Sequence, residues 1–349
     1  MSKDLAQGTM NILLAAATGL MLTASFGGGA DHQLVTRRVE MMGTVLWMEL
    51  EVQDRTVGLN ASEEALRTME AAERRLSTWS TETELARFLT GEAGEWITLT
   101  PLLAKELGAA AKLCELTGGA FDPSIGALTH AWGLRTGGVT PDKLTLSEAM
   151  ESCGSTLWRV EGSEAIRESA DLIIDEGGFG KGAALDQALI SLRESGVESA
   201  TLNFGGQLVF IGEEERVVPI ADPRDRRDVV IELKVDGGSV ATSANTERSG
   251  HLLDPRTGRP AKDFGSVTVW APNALTADAL STALFVLGPR EGHALAEQID
   301  GVEAAFIETS NSGVSVYLTS GLSNRARSLH SRARIVNSFD LSGQRVATN

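Results

Sequence analysis

The sequence predicts an α+β protein in which mixed or antiparallel sheets pack against helices. Some stretches alternate apolar and polar residues with the period of a strand, and others repeat apolar residues with the period of a helix. The two kinds of stretch are mixed without the regular strand–helix alternation of a doubly wound sheet. The chain has 349 residues, of which 42% are hydrophobic, and this suffices for one large domain or two smaller ones.

Three parts are predicted along the chain. Residues 1–33 contain an apolar run at 10–26, followed by a glycine-rich break, and resemble the core of a secretory signal. We expect them to form a signal peptide or membrane anchor, so that the protein is exported and is periplasmic or associated with the inner membrane; a buried helix is the alternative. Residues 34–320 are predicted to form the folded unit, and residues 321–349 a loosely held polar tail that contains arginines.

Composition excludes several classes of function. The chain has 31 basic and 47 acidic residues and a net charge of −16, which argues against a nucleic-acid-binding protein. The only cysteines, Cys114 and Cys153, form no CxxC or Cys/His motif, so a zinc site or a disulfide scaffold is not expected. A single bridge between them stays open, although Cys114 lies on the apolar face of a predicted helix, which favours a buried thiol.

The first elements of the folded unit are predicted to be a strand and two helices. Residues 39–52 alternate well enough for a strand. Residues 62–79 are predicted to form a helix with Ser62 as its N-cap, and residues 102–116 form a second helix that ends at a glycine pair.

The middle of the chain centres on residues 171–195. A strand at 172–174 is predicted to lead through a glycine-dense turn into a helix that starts near Ala183. Glycines let a backbone approach a ligand closely, and the N–H groups of a helix start suit a phosphate or pyrophosphate, to which Lys181 would add a positive charge. An ordinary tight connection is the alternative, since no Walker A motif is present.

The second half of the chain is predicted to consist mainly of strands. Residues 199–212 indicate a strand pair with a turn at 205–206, and residues 231–245 a hairpin through 236–237. The later elements are a strand at 266–272, a helix at 274–288 and a closing hairpin at 304–320.

A few polar side chains are candidates for chemistry. Asp278 and Thr282 are four residues apart on a predicted helix and therefore share a face, where a carboxylate and a hydroxyl would suit magnesium. Alternatively, Asp278 complements the dipole of its own helix. Asp122 precedes a proline and either starts a turn or faces a site. His251 is a candidate base, although a lone histidine is more often structural.

Seven motifs in a fixed order carry a resemblance to a known family. They are MGT at 42–44, LSTW at 76–79, GAFDPSIG at 119–126, DEGGFGKG at 175–182 with Asp186, NFGG at 203–206, HLLDPRTG at 251–258 and ADALSTA at 277–283. This series closely resembles the ApbE family of FAD:protein FMN transferases, over roughly residues 39–288. Each motif alone is weak, and their order makes the resemblance specific.

The resemblance implies a single catalytic unit with an ApbE-like, T-fold-like architecture. It also implies a magnesium-dependent transferase that cleaves FAD, attaches FMN through a phosphoester bond to a threonine or serine of a target flavoprotein, and releases AMP. Carried over by position, the residues that would contact FAD are Met42, Trp79, Ala120, Phe121, Asp122, Lys181, Gln187 and Leu252. The carbonyl of Ala184 would hold Mg²⁺ together with Asp278 and Thr282. The candidate catalytic residues are Asp278 and His251, the latter because it opens the loop that carries Leu252.

Departures from the family pattern keep other functions open. Ala183 and Thr246 stand where the family usually has tyrosines, and the only tyrosine of the chain is Tyr317. One alternative is a magnesium-dependent FAD pyrophosphatase that gives FMN and AMP. Another is a non-catalytic FAD-binding protein, which the presence of Asp278 and Thr282 disfavours. The acceptor protein is not identifiable from the sequence.

Overall fold

The computed structural model describes residues 32–245, 250–311, 313–329 and 333–336. The predicted export segment at 10–26 lies outside these residues, so export and the division of the chain into three parts stay predictions. Across the part of the chain that the structure describes, none of the helices has both the length and the apolar character needed to cross a membrane.

A nine-stranded mixed sheet forms the centre of the fold. Its strands are β1 (Gln33–Met41), β2 (Thr44–Val52), β6 (Ser199–Phe204), β7 (Gln207–Ile211), β10 (Ser239–Ala244), β13 (Gly265–Ala271), β14 (Glu303–Ser310), β15 (Gly313–Leu318) and β17 (Ala333–Val336), in that spatial order. Neighbouring strands are antiparallel except for the parallel β15–β17 pair. Alternation decides which face is buried: in β2, Leu46, Met48 and Leu50 point into the core.

Three smaller sheets complete the strands. β8 (Arg216–Asp222), β9 (Asp225–Val235) and β16 (Ala326–Ser328) form a three-stranded sheet in the order β16-β9-β8. A second three-stranded sheet has the order β3 (Ile97–Thr98), β5 (Glu164–Arg167), β4 (Trp158–Glu161). The third is a two-stranded sheet of β11 (Leu253–Asp254) and β12 (Arg259–Pro260).

The helices of the described residues are α1 (Arg55–Leu76), α2 (Glu84–Thr90), α3 (Pro101–Leu116), α4 (Gly126–Ala131), α5 (Lys143–Glu151), α6 (Gly180–Glu194) and α7 (Ala274–Ala296), the last with a kink at Gly288. Of these, α1, α6 and α7 pack on one face of the large sheet. α1 packs on α6, and α6 packs on α7. The β8–β9–β16 sheet covers part of the other face, where Phe210 of β7 and Ile231 of β9 are buried in one cluster.

The fold class predicted from the sequence is confirmed. Helix α3, the strand pair β6–β7, strand β13 and the hairpin β14–β15 lie where the sequence predicts them. Cys114 is buried as expected, and Cys114 and Cys153 are both free thiols.

Predictions near the amino-terminal end of the fold were wrong in two places. Residues 39–52 belong to two strands rather than one, because the chain reverses at Met42 and Gly43, which have φ angles of 46° and 72°. The N-cap of α1 is Asp54 rather than Ser62: Asp54 accepts a hydrogen bond from the Thr56 N–H, and Ser62 is buried inside the helix.

Later predictions also need correction. Residues 172–174 form no strand, since only a single bridge joins Ile173 to Ile125, and α6 begins at Gly180 rather than near Ala183. The proposed hairpin through 236–237 does not form, because β9 and β10 belong to different sheets. The loosely held tail is wrong for 326–328 and 333–336, which pair as β16 with β9 and as β17 with β15.

Candidate active site

A cavity of about 1000 Å³ opens where the start of α7, the glycine turn before α6 and the edge of the large sheet meet. Its walls combine backbone-rich loops with charged side chains of both signs. The predicted site residues that line it are Ala120, Phe121, Asp122, Lys181, His251, Leu252, Asp278 and Thr282.

The glycine turn brings α6 into direct contact with α7. Asp175 caps the short 3₁₀ turn Glu176–Gly178 by accepting the Gly177 N–H at 2.8 Å, and α6 starts two residues later. A Cβ at Gly182 would lie 2.3 Å from the carbonyl oxygen of Ala274, so only glycine allows this approach. The glycine-dense sequence therefore serves close packing of two helices at the cavity wall.

Buried polar contacts fix the first turn of α7. The carboxylate of Asp186 accepts the N–H groups of Ala274 at 2.7 Å and Leu275 at 3.0 Å. The side-chain amide of Gln207 donates to the Ala274 carbonyl at 2.7 Å. Burial raises the pKa of Asp186, while its two backbone hydrogen bonds act in the opposite direction. These contacts position the helix that carries Asp278.

Asp278 joins the two helices at the cavity wall. Its carboxylate accepts the Gly182 N–H at 3.2 Å and lies 3.2 Å from the Lys181 ammonium, and the residue is 7% exposed. Asn273 supplies the N-cap of α7, so Asp278 is not needed to complement the first turn of its own helix. Thr282 lies one turn further along on the same face, and its hydroxyl donates to the Asp278 carbonyl at 3.4 Å.

The donor set at this end fits a hard cation that keeps other ligands. Among the residues that the structure describes, no group of three or more His, Cys, Asp or Glu side chains could hold a metal. Asp278 and Thr282 offer a carboxylate and a hydroxyl at the cavity, whereas Ala184 is fully buried in α6 and does not line it. Magnesium suits such a partial set, because it usually retains water or takes phosphate oxygens.

Arg135 connects the LSTW motif to the start of the glycine turn. Its guanidinium donates to Thr78 Oγ1 at 2.7 Å and to Asp175 at 3.0 Å, and lies 4.6 Å from the ring centroid of Trp79. Glu176 accepts the Thr78 N–H at 3.1 Å and also the Thr78 hydroxyl. Burial raises the pKa of Glu176, and the hydrogen bonds from Thr78 act against that rise. Through this network the exposed Trp79 is held beside the cavity.

The Asp122 turn lies deeper in the wall. Asp122 accepts the N–H of Ser124 at 2.8 Å and its hydroxyl at 2.6 Å, so it does start a turn, and it also lines the cavity. Burial raises the pKa of its carboxyl. Burial likewise raises the pKa of the neighbouring Cys114 thiol to about 12, which keeps that thiol protonated.

His251 and Leu252 bring the third loop to the cavity. Both line it, and the loop behind them is held by the Asp254–Arg256 ion pair at 2.9 Å. His251 and Asp278 thus line the same cavity, as a joint catalytic role requires.

Four predicted residues do not line the cavity. Ala184 is buried in α6, and Gln187 lies two turns along the same helix, partly buried. Trp79 is 71% exposed and reaches the cavity wall only through Arg135. Met42, in the β1–β2 turn, lies near Gly180, where a Cβ would be 3.9 Å from its methyl group. The roles of all the predicted site residues stay predictions.

Sequence reasoning missed several charged residues of the cavity, namely Arg38, Glu49, Arg135, Asp175, Asp222 and Arg226. Asp175 stands in a recognised motif and was detectable there. The others carry no local signal. Of the two positions without the family's usual tyrosines, Ala183 is buried in the core and Thr246 lies outside the described residues.

A model of the ApbE family matches residues 42–306, well over half of the chain. This chain belongs to the ApbE family. The result confirms the resemblance that the seven motifs indicated.

Several relatives of this ApbE chain are named FAD:protein FMN transferase. The Rhodobacter capsulatus protein is 31% identical over 239 residues, a match that covers 64% of this chain and 45% of that protein. The Treponema pallidum protein is 28% identical over 340 residues, covering 88% of this chain and 93% of its own length. This chain therefore spans less than half of the first relative and nearly all of the second.

Solved structures of other family members share the fold. The apo flavinyl transferase ApbE of Pseudomonas stutzeri has a TM-score of 0.76 at 26% identity, covering 84% of this chain and 97% of that one. The ApbE protein of Thermotoga maritima has a TM-score of 0.71 at 29% identity, covering 78% and 94%.

Proposed function

We propose that this protein is a magnesium-dependent FAD:protein FMN transferase. It cleaves FAD, attaches FMN through a phosphoester bond to a threonine or serine of a target flavoprotein, and releases AMP. The observation that carries the proposal is the meeting of Lys181, Asp278 and Thr282 in one cavity with the glycine turn. Family membership and relatives named for this activity support it.

Different residues of the cavity would bind the metal ion, the pyrophosphate and the rest of FAD. Asp278 and Thr282 would hold Mg²⁺, with the Ala184 carbonyl as a third candidate ligand; when bound, the ion neutralises charge on the pyrophosphate. Lys181 adds a positive charge beside it. Ala120, Phe121, Asp122 and Leu252 shape the FAD site, and Trp79, with Met42 and Gln187, belongs to its periphery. Positioning and electrostatics supply most of what a phosphoryl-type transfer needs.

The transfer step needs a base near the acceptor. The acceptor oxygen forms a bond to the FMN phosphorus, the pyrophosphate P–O bond breaks, and AMP leaves with the electron pair. The proton of the acceptor hydroxyl passes to His251, which lines the same cavity as Asp278.

The deciding experiment incubates the protein with FAD, Mg²⁺ and candidate flavoprotein domains, followed by intact mass of each domain. A gain of one FMN on a domain, lost when EDTA is present, supports the proposal. In the His251→Ala variant, labelling should slow strongly while FAD binding changes little, because a base acts in the chemical step. Near-normal labelling by that variant rules out the base role.

A second candidate function is FAD pyrophosphatase activity at the same site. The same residues would split FAD to FMN and AMP if water were the acceptor, and Ala183, which stands where the family usually has a tyrosine, is buried in the core and adds no aromatic cover to the cavity. Tyr317 does not restore that cover: it is buried in strand β15 and donates to Glu308 at 2.9 Å. Release of FMN and AMP with no domain labelled would favour the hydrolase.

Export is a separate proposal. The apolar run at 10–26 directs the protein out of the cytosol, to the periplasm or the inner membrane. Fractionation of the native host tests it, and full-length protein found wholly in the cytosol contradicts it.

A further inference from the structure

The β8–β9–β16 sheet covers only part of the outer face of the nine-stranded sheet. Phe210 and Leu208 of β7 are buried beneath it together with Ile220 of β8. Directly opposite these two residues on the next strand, β6, are Thr201 and Asn203. Residues paired in this way lie on the same face of a sheet. The face therefore continues beyond the cover onto β6, β2 and β1.

We name this continuation the outer strip. It consists of Arg38, Trp47, Glu49, Thr201 and Asn203. The pairs Arg38–Trp47 and Trp47–Asn203 place one row of three side chains across β1, β2 and β6, and Glu49–Thr201 begins the next row. Trp47 is 39% exposed in the middle of this polar row. A large aromatic side chain with polar neighbours is the composition expected of a binding surface.

Strand β8 forms the wall beside the outer strip. It is the edge strand of its sheet: β9 pairs with one side of it, and across the described residues no strand pairs with the other. Pro219 lies in this strand, as is common for edge strands. The second half of β8, residues 219–222, lines the cavity together with the whole outer strip. An open strand edge offers N–H and C=O groups to an added strand.

The outer strip belongs to the same cavity as Asp278, Thr282 and His251. None of the predicted FAD contacts lies on it, so FAD placed by those contacts leaves it available. The second substrate must present a hydroxyl at the Asp278 end while the rest of its chain leaves the cavity. The outer strip is continuous with that end and has an open strand edge along its side.

We propose that the outer strip and the edge of β8 bind an extended segment of the acceptor flavoprotein. The segment adds to β8 as a strand, packs a side chain on Trp47 and leads its threonine or serine to the Asp278 end of the cavity. The proposal rests on the proposed transferase function. It assigns the outer strip to the protein substrate rather than to FAD.

The first test compares Trp47→Ala with Trp96→Ala. Trp96 is a matched control because it is 41% exposed and precedes β3, in a different sheet. Trp47→Ala should raise the KM for the acceptor domain about tenfold or more, as expected for an aromatic anchor, with little change in FAD affinity measured by equilibrium dialysis. Trp96→Ala should leave both values unchanged. Equal weakening of FAD and acceptor, or no change in either, overturns the proposal.

The second test uses a peptide of the acceptor, centred on the labelled residue, as an inhibitor of domain labelling. The unmodified peptide should inhibit, and a peptide with N-methyl groups on alternate residues should lose inhibition, because it cannot pair with a strand edge. Equal inhibition by both peptides, or by neither, contradicts strand addition. If the wild-type protein forms a dimer in sedimentation experiments and Trp47→Ala dissociates it, the outer strip is an interface between copies of this chain, and the proposal is wrong. A wild-type protein that labels no domain counts against the transferase function itself, an outcome distinct from these.

Discussion

The two walls of the cavity are held by different kinds of interaction. At the α6–α7 wall, carboxylates accept backbone N–H groups: the half-buried Asp186 accepts those of Ala274 and Leu275, and the buried Asp278 accepts that of Gly182. The second wall, which we call the Trp79 wall, consists of Thr78, Trp79, Arg135, Asp175 and Glu176. There, long side chains contact one another, with Arg135 at the centre. Backbone contacts at close approach leave few alternative geometries, whereas long side chains such as that of Arg135 can change rotamer. We infer that the first wall positions the chemistry and the second adjusts to the substrate.

The largest effect is expected from Asp278→Asn at the α6–α7 wall. Asparagine keeps the shape but loses the negative charge, so magnesium-dependent turnover of FAD should fall by at least ~100-fold, as for the loss of a central electrostatic group. Asp300→Asn, at an exposed position beyond α7, is the control and should be unaffected. Unchanged FAD turnover by Asp278→Asn, or wild-type turnover that persists in EDTA, would show that Asp278 does not hold the metal.

Gly182→Ala tests whether close packing is what makes that wall rigid. The added methyl group would meet the Ala274 carbonyl at 2.3 Å, so the two helices must separate. We expect a loss of about 1–3 kcal/mol in the free energy of unfolding, with a fall in turnover. Gly108→Ala in α3 is the matched control, because its added methyl group meets nothing within 4 Å. Denaturant unfolding of that variant should show equal or slightly higher stability. Equal stability of the two variants would contradict the packing argument.

The sequence predicts the α6–α7 wall better than its surroundings. Asp278 and Thr282 were recognisable because both lie on one helix, where a spacing of four residues decides the face. The start of α1 was not. Its first residues include Gly58, a poor helix former, yet a Cβ there would lie 2.7 Å from Val52 in strand β2. Packing between distant elements, which no local pattern reports, selects glycine at that position.

The assignment of strands to sheets and the contacts of the Trp79 wall could not be predicted, because both depend on residues that are far apart in the sequence. The Asp236–Gly237 turn signal is real, but the chain passes there from one sheet to another, and strand pairing depends on partners far along the sequence. The hydrogen bond from Thr78 to Glu176 spans 98 residues, and that from Arg135 to Asp175 spans 40. Only the resemblance to a family placed Trp79 near the site.

A smaller effect is expected from Arg135→Ala at the Trp79 wall. The change removes the ring contact to Trp79 and the ion pair with Asp175. We expect the KM for FAD to rise about threefold to tenfold with little change in kcat, consistent with contacts worth roughly 0.5–1 kcal/mol each. Arg159→Ala is the control, since Arg159 lies 5.1 Å from the ring of Trp96 in a similar contact. A loss of kcat as large as that of Asp278→Asn would remove the distinction between the two walls.

The smallest expected effect is on the pH dependence of stability, tested with Glu176→Gln. Burial raises the pKa of Glu176 above its ordinary value of 4.5, so the folded state binds this proton more tightly than the unfolded state. The free energy of unfolding gained from that proton is fully present below the ordinary pKa and is lost as the pH rises through the folded pKa. Glutamine cannot ionise, but its carbonyl oxygen can accept the Thr78 N–H and its amide N–H can donate to the Thr78 hydroxyl.

The wild-type protein should therefore lose more stability than Glu176→Gln between pH 4.5 and neutrality, as measured by denaturant unfolding at several pH values. Burial also raises the pKa values of Asp122 and Glu106, and partial burial that of Asp186, but their contributions cancel in the difference between the two proteins. Glu82→Gln, at an exposed position, serves as the control for the substitution itself. Parallel curves for wild type and Glu176→Gln would mean that Thr78 and Arg135 fully offset the cost of burying this carboxylate. The Trp79 wall would then be as strongly held electrostatically as the wall that carries Asp278.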